Sequence, residues 1–255
     1  MFFSIRNILV GFFLVVGIAL AGFVGNAMWQ SVHRARTFSD VAQLVSLDRL
    51  LFNALLNFRS ERGNSASALT VDPAKTANTI ASVQASRQKV DAAMSAFLEQ
   101  SAALDQAGLQ APLARVKDIY TQFQELRKKV DANVTLPLDR RENGLDKTVL
   151  ALGQDFLTAL ETGSTAVEGE VRSLDQSLTG LIQLRSYGWS ARALGGSATV
   201  VINAVVAQQR PLTPQEIQQL GNFDAGAAFA WKATGELVAH ESTPQALKDI
   251  YATAD

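Results

Sequence analysis

The sequence predicts an all-α protein: an N-terminal transmembrane helix continuous with an antiparallel helical bundle of two stacked four-helix modules, the second incomplete. Three observations predict this class. Hydrophobic residues make up 47% of the 255 residues but aromatic residues only 7%, a balance typical of helices with an Ala, Leu and Val core. Apolar residues recur at intervals of three and four, and no useful stretch alternates as a strand does. Prolines and capping residues divide the chain into segments of helix length.

The first element is an apolar segment at residues 8–29, ILVGFFLVVGIALAGFVGNAMW. No charged residue lies between Arg6 and His33, and a helix needs roughly 20 such residues to cross a bilayer. Trp29 stands where an interfacial aromatic anchor is expected. The alternative is a cleaved signal peptide, because the Ala-Leu-Ala at 19–21 fits a cleavage site.

A retained span predicts a location in the inner membrane. Residues 1–7 then form a cytoplasmic N-terminus, and the bulk of the chain lies in the periplasm. Under either interpretation the residues beyond about 30 are placed outside the cytoplasm.

The first helical module is predicted over residues 30–163. Its first helix continues from the span to Leu69 and ends at TVDPAK, where Asp72 can cap a new helix with Pro73 in its first position. The second helix ends near 105–110, and a third starts around Pro112. A fourth covers roughly 145–162.

The second module is predicted over residues 164–255. A long helix at 165–208 is followed by the turn PLTPQE, in which Thr213, Pro214 and Glu216 form a capping box with proline in the first turn. A sixth helix follows, and a last one opens at Thr243-Pro244. We expect this module to be truncated at its C-terminus.

Composition excludes several classes of function. The chain has no cysteine, so thiolate chemistry and Cys-ligated metals are excluded, and its two histidines lie far apart. A net charge of −1 gives no reason to expect a nucleic-acid partner. No paired catalytic set, metal motif or phosphate loop is present, so we expect neither an enzyme nor a bound cofactor.

Arginines interrupt two apolar stripes that must face the bundle interior. Along the fifth helix the apolar positions give way to Arg185, Gly188, Arg192 and Gly195 before becoming apolar again. Arginine cannot lose its proton, so a guanidinium in a core requires an anion, and glycines beside it leave space. Trp189 could wall this space or stack on a guanidinium.

The first helix shows the same pattern. Arg62 is the next inward step after Phe58, and Arg59 lies at its edge. The predicted ligand-binding residues are therefore Arg62, Arg185, Arg192, Arg59 and Trp189. The alternative is a structural polar layer, in which the arginines pair with carboxylates of other helices, Asp224 and Glu236 among them.

The segment Glu61-Arg62-Gly63-Asn64-Ser65 resembles the signature of the nitrate- and nitrite-sensing (NIT) domain family. Arg59 stands where the usual pattern begins with glutamine. The architecture also resembles the sensor region of methyl-accepting chemotaxis receptors and transmembrane histidine kinases. The resemblance implies that arginines from separate helices hold a small oxyanion such as nitrate or nitrite, with Arg62 among them. It also implies a homodimer.

Together these observations predict the input module of a transmembrane signalling receptor. A small ligand, expected to be an anion, binds between helices and favours one packing of the bundle. The alternative is a membrane-tethered helical spacer or interaction module that binds no small molecule.

Overall fold

The computed structural model describes the backbone of residues 5–207, 210–241 and 243–254, and the side chains from residue 28 onwards except those of residues 203, 204, 207 and 254. This part of the chain contains seven α-helices and no strand. The predicted all-α class is therefore confirmed. The helices are α1 (Ile5–Thr70), α2 (Ala77–Ser101), α3 (Ala107–Val134), α4 (Leu145–Leu174), α5 (Thr179–Ala207), α6 (Pro214–Val238) and α7 (Gln245–Ala254).

The chain forms two compact units, Met1–Leu174 and Asp175–Asp255. In the first unit α1 packs against α2 and α4, and α3 packs against α4. In the second unit α5 packs along α6, and α7 contacts α6. The boundary between the two units follows Leu174. The sequence predicts the boundary between its two modules after residue 163.

The difference arises because α4 does not end at the predicted break near 162–164. Gly163 lies where an added Cβ would come within 3.2 Å of Val116 Cγ2 and 3.6 Å of Leu51 Cδ1. Its missing side chain lets α4 pass close to α1 and α3 instead of ending there. The chain breaks later, where the side chain of Asp175 accepts a hydrogen bond from the Ser177 amide at 2.9 Å and caps a short 3₁₀ turn. The predicted helix at 165–208 is thus wrong as one element.

The predicted capping box is confirmed. The side chain of Thr213 accepts a hydrogen bond from the Glu216 amide, and the Glu216 carboxylate accepts one from the Thr213 amide. The predicted cap of the second helix is wrong. Asp72 accepts a hydrogen bond from the Ala74 amide and caps only the 3₁₀ turn Pro73–Lys75, whereas α2 begins at Ala77.

The core of the first unit centres on Phe58. Its ring meets those of Phe123 and Phe156 nearly at right angles, with centroids 4.6 and 4.7 Å away. Edge-to-face contacts of this kind add to the free energy of apolar burial. Leucines at 44, 47, 51 and 55 continue the buried stripe of α1, as its spacing predicts.

The predicted transmembrane helix, and with it the inner-membrane and periplasmic location, is wrong. Among the residues that the structure describes, no helix has an apolar stretch long enough to cross a bilayer. From Met28 onwards, where the side chains of α1 are described, His33, Arg34 and Arg36 interrupt the apolar positions. From Met28 onwards, α1 therefore has its apolar residues along one stripe and not around its whole circumference. Residues 8–27 of the predicted segment lie outside the described side chains.

We expect Phe58→Ala to lower the free energy of unfolding by about 3–5 kcal/mol, because it leaves a cavity among three rings. Urea denaturation followed by circular dichroism measures the change. Phe38→Ala is the matched control, since Phe38 lies on the same helix and is 68% exposed. Equal effects of the two substitutions would contradict the assigned core.

Candidate functional site

A carboxylate lies fully buried inside the first unit. Glu61 of α1 has no exposed surface, and Arg127 of α3 binds it with two parallel hydrogen bonds of 2.6 Å, from Nε to Oε1 and from Nη2 to Oε2. Arg87 of α2 donates a third hydrogen bond to Oε1 at 3.2 Å. The two arginines offset the cost of burying the charge of Glu61.

Further carboxylates extend this centre towards the surface. Arg127 Nη1 donates to Asp91 Oδ1 at 2.6 Å, and the hydroxyl of Tyr120 donates to the same oxygen at 2.7 Å. Arg87 holds Asp131 with two hydrogen bonds of 2.8 and 3.0 Å. We call these residues the ion network: Glu61, Arg87, Asp91, Tyr120, Arg127 and Asp131. With two arginines and three carboxylates, its formal charge is −1.

The network shifts the pKa values of its members. Burial alone would lower the pKa of Arg127, but its hydrogen bonds to Glu61 and Asp91 outweigh burial and raise that pKa. Burial, reinforced by the hydrogen bond to Asp91, raises the pKa of Tyr120 to about 12. These directions keep both arginine and phenol protonated.

A second group of charges lies on the α4 side of α1. Arg62 Nε donates to the backbone carbonyl of Leu150 at 3.0 Å. Its Cδ and Cγ lie only 2.8 and 2.9 Å from where a Cβ on Gly153 would be, so only glycine leaves room for this arginine. Arg59 Nη2 pairs with Glu161 Oε1 at 3.3 Å. We call this region the α1–α4 seam.

The charge of Arg62 is not matched locally. Within the part of the chain that the structure describes, no carboxylate lies within ion-pair distance of its guanidinium. Burial, and then the charge of Arg59, lower the pKa of Arg62. The seam therefore carries the unbalanced positive charge of Arg62.

The inward step after Phe58 is Glu61, three residues on, and not Arg62. The stripe continues through Ser65 and Ala68, both of which are buried. Arg62 is half-buried at the edge of this stripe, as is Arg59. The predicted cationic interior position is thus occupied by an anion with cationic neighbours.

The remaining predicted residues belong to the second unit. Arg185 is half-buried, and burial lowers its pKa. Arg192 is exposed, and its guanidinium carbon lies 5.7 Å from the ring centroid of Trp189 on the same helix. A Cβ on Gly188 or Gly195 would meet no atom within 4 Å.

The predicted inward stripe of α5 is largely open. Arg192 and Gly195 are exposed, and so are the apolar positions that follow them, Ile202 and Val206. In the second unit α5 packs along α6, so much of the surface of α5 lacks the cover that a four-helix module would give it.

A small cleft opens beside the ion network, between α1, α2 and α3. It holds about 80 Å³. Arg87 and Asp131 line one part of it, and Ser65 lines another. Its other walls are formed by Ala68, Ile80, Val83, Gln84, Val130 and Val134.

Two central residues of the network were missed, although the sequence carries their signal. Arg87 lies between Val83 and Val90 on the stripe of α2, and Arg127 lies between Phe123 and Val130 on that of α3. Both therefore occupy inward positions at helical spacing. The rule that selected Arg185 and Arg192 also selects these two arginines.

No group of three histidine, aspartate or glutamate residues that could hold a metal ion occurs in the described part of the chain. No protein-family model matches the sequence, and no curated protein or solved structure is significantly similar to it.

We expect Glu61→Gln to lower the free energy of unfolding by about 3–5 kcal/mol, because it leaves two guanidinium groups without their shared buried carboxylate. Urea denaturation measures the effect. Glu125→Gln is the control, since Glu125 is 65% exposed and, among the described residues, pairs only with Lys128 on its own helix. A loss no larger than that of the control would show that Glu61 does not organise the interior.

The phenol of Tyr120 should ionise near pH 12, compared with 10.0 for an ordinary tyrosine. Because its pKa is raised in the folded state, its contribution to stability is present below pH 10 and is lost as the pH rises towards 12. Absorbance titration at alkaline pH detects this step. Tyr120→Phe should remove the latest ionisation, and an unchanged titration curve would contradict the assignment.

Proposed function

We propose that the chain is the input module of a signal-transduction receptor, and that it binds a small anion at the α1–α4 seam. The observation that carries this proposal is Arg62. Its half-buried guanidinium donates one hydrogen bond to Leu150, and no carboxylate of the described residues balances its charge. An anion at this place would do so.

The local chemistry suits a compact oxyanion. The hydrogen bond to Leu150 uses Nε, so both terminal nitrogens of Arg62 keep donors for a planar or tetrahedral anion. Arg59 lies next to it and pairs with a single oxygen of Glu161. The half-buried positive charge of Arg62 favours an anion over a cation or a neutral molecule.

The resemblance of Glu61-Arg62-Gly63 to the NIT signature supports this choice of ligand, with nitrate and nitrite as its first members. It also supports a homodimeric receptor. Arg185, Arg192 and Trp189 form a separate cationic and aromatic group on α5, which is a second candidate for contact with an anion.

Signalling would use α1, because this helix runs without a break over the 66 residues from Ile5 to Thr70. An anion that binds one packing of α1 against α4 more tightly than another shifts the bundle towards that packing. A rigid helix then carries the displacement far from the seam. The required coupling is the difference in affinity between the two packings.

A second candidate is a helical interaction module without a small ligand. It is favoured by the second unit, where several large apolar side chains of α5 and α6 are exposed: Val200, Ile202, Val206, Ile217 and Phe229. Exposed apolar surface of this kind is typical of sites that contact another protein. The pairing of Arg87 and Arg127 with carboxylates also fits a purely structural polar layer.

The anion proposal predicts that nitrate or nitrite binds to the full chain and that Arg62→Ala weakens binding about tenfold to hundredfold, the effect of losing a charged hydrogen-bond donor. Isothermal titration calorimetry at constant ionic strength measures the affinity. The matched control is Arg115→Ala, since Arg115 is exposed and its one ion pair in the described part of the chain is with Asp118 on its own helix. Affinity that is equal in both variants, or no binding of either anion, would overturn the proposed site.

A further inference from the structure

The cleft between α1, α2 and α3 is lined by a hydroxyl that makes no hydrogen bond within the described residues. This hydroxyl belongs to Ser65, whose side chain is only 3% exposed and lines the cleft. A helical serine commonly bonds to the carbonyl four residues earlier, which here is that of Glu61. The Ser65 hydroxyl is instead placed to bind a group that enters the cleft.

A second set of donors faces the same space. Arg87 lines the cleft and uses Nε for Glu61 and one hydrogen on each terminal nitrogen for Asp131. Each terminal nitrogen carries another hydrogen. Ser65 and Arg87 together therefore suit a ligand carboxylate.

The charge around the cleft opposes a simple anion. Asp131 lines it with a half-exposed carboxylate, and the ion network beside it has a formal charge of −1. A bare carboxylate would bind Arg87 but would meet this negative charge. A ligand that also carries an ammonium group can place it against Asp131 and so meet both requirements.

The remaining walls set the size and polarity of the ligand. Aliphatic side chains of three helices face the cleft: Ala68, Ile80, Val83, Val130 and Val134. About 80 Å³ leaves room for a few non-hydrogen atoms beyond the charged groups. We propose that this cleft binds a small aliphatic α-amino acid, with its carboxylate on Ser65 and Arg87 and its ammonium on Asp131.

This site is independent of the α1–α4 seam, because Arg62 does not line the cleft. The two proposals therefore fail separately. Arg62→Ala should leave amino-acid affinity unchanged, and Ser65→Ala should leave nitrate affinity unchanged.

The test is isothermal titration calorimetry on the full chain with L-alanine and L-valine. Isobutyrate and isobutylamine serve as comparison compounds, each carrying only one of the two charges. We expect at least one amino acid to bind about tenfold more tightly than either compound, since each of them lacks a charged contact. Equal binding of isobutyrate, or no amino-acid binding at millimolar concentration, would overturn the proposal.

Two variants examine the contacts. Ser65→Ala should weaken amino-acid binding about fivefold, the usual effect of one hydrogen bond. The control is Ser67→Ala, since Ser67 is exposed on the same helix.

Asp131→Asn should weaken amino-acid binding and strengthen isobutyrate binding, because it removes the negative charge of Asp131 from the wall of the cleft. If Ser65→Ala binds like the control, or isobutyrate gains nothing in Asp131→Asn, the site is wrong.

Discussion

The buried pair of Glu61 and Arg127 is the interaction on which the first unit depends. A carboxylate with no exposed surface is tolerated only while both of its oxygens are hydrogen-bonded, and Arg127 bonds to both. Arg87 adds α2 to the same centre, so one side chain of α1 fixes the positions of two other helices. A shift of α1 along its axis by one turn would leave these charges buried and unpaired. Aromatic contacts around Phe58 fill the neighbouring layer and stabilise the bundle without setting its register so strictly.

This arrangement gives a short piece of α1 two chemically different sides. Glu61 and Ser65 face α2 and α3, whereas Arg59 and Arg62 face α4. The first side is anionic overall and the second is cationic. The two sides therefore present separate binding chemistries on the same stretch of one helix.

The sequence predicted the helical class, the capping box at Thr213 and the helices that surround the core, because these follow from local periodicity and capping chemistry. It predicted Arg62 as the interior residue, where the structure has Glu61. Both follow Phe58 at helical spacing, and a buried arginine is as costly as a buried glutamate when unpaired. The choice is made by Arg127, which lies 66 positions away along the chain. Likewise, the sequence predicted a helix end near Gly163. The structure shows that α4 continues there, because the missing side chain of Gly163 lets the helix pass close to Val116.

The same residue pattern has different consequences in the two units. Arginine and glycine at inward spacing predicted a cationic cavity in α5, but α5 packs along a single long helix in its unit, and Arg192 and Gly195 are exposed. In the first unit three helices, α1, α2 and α3, contribute the ion network, and its buried charges are paired with one another. The number of helices that enclose a charge, more than its position on a stripe, thus determines whether it becomes a surface group or a binding group. By this criterion the seam at Arg62 and the cleft at Ser65, both within the enclosed unit, are the places where a small ligand would gain most from the polar groups of the protein.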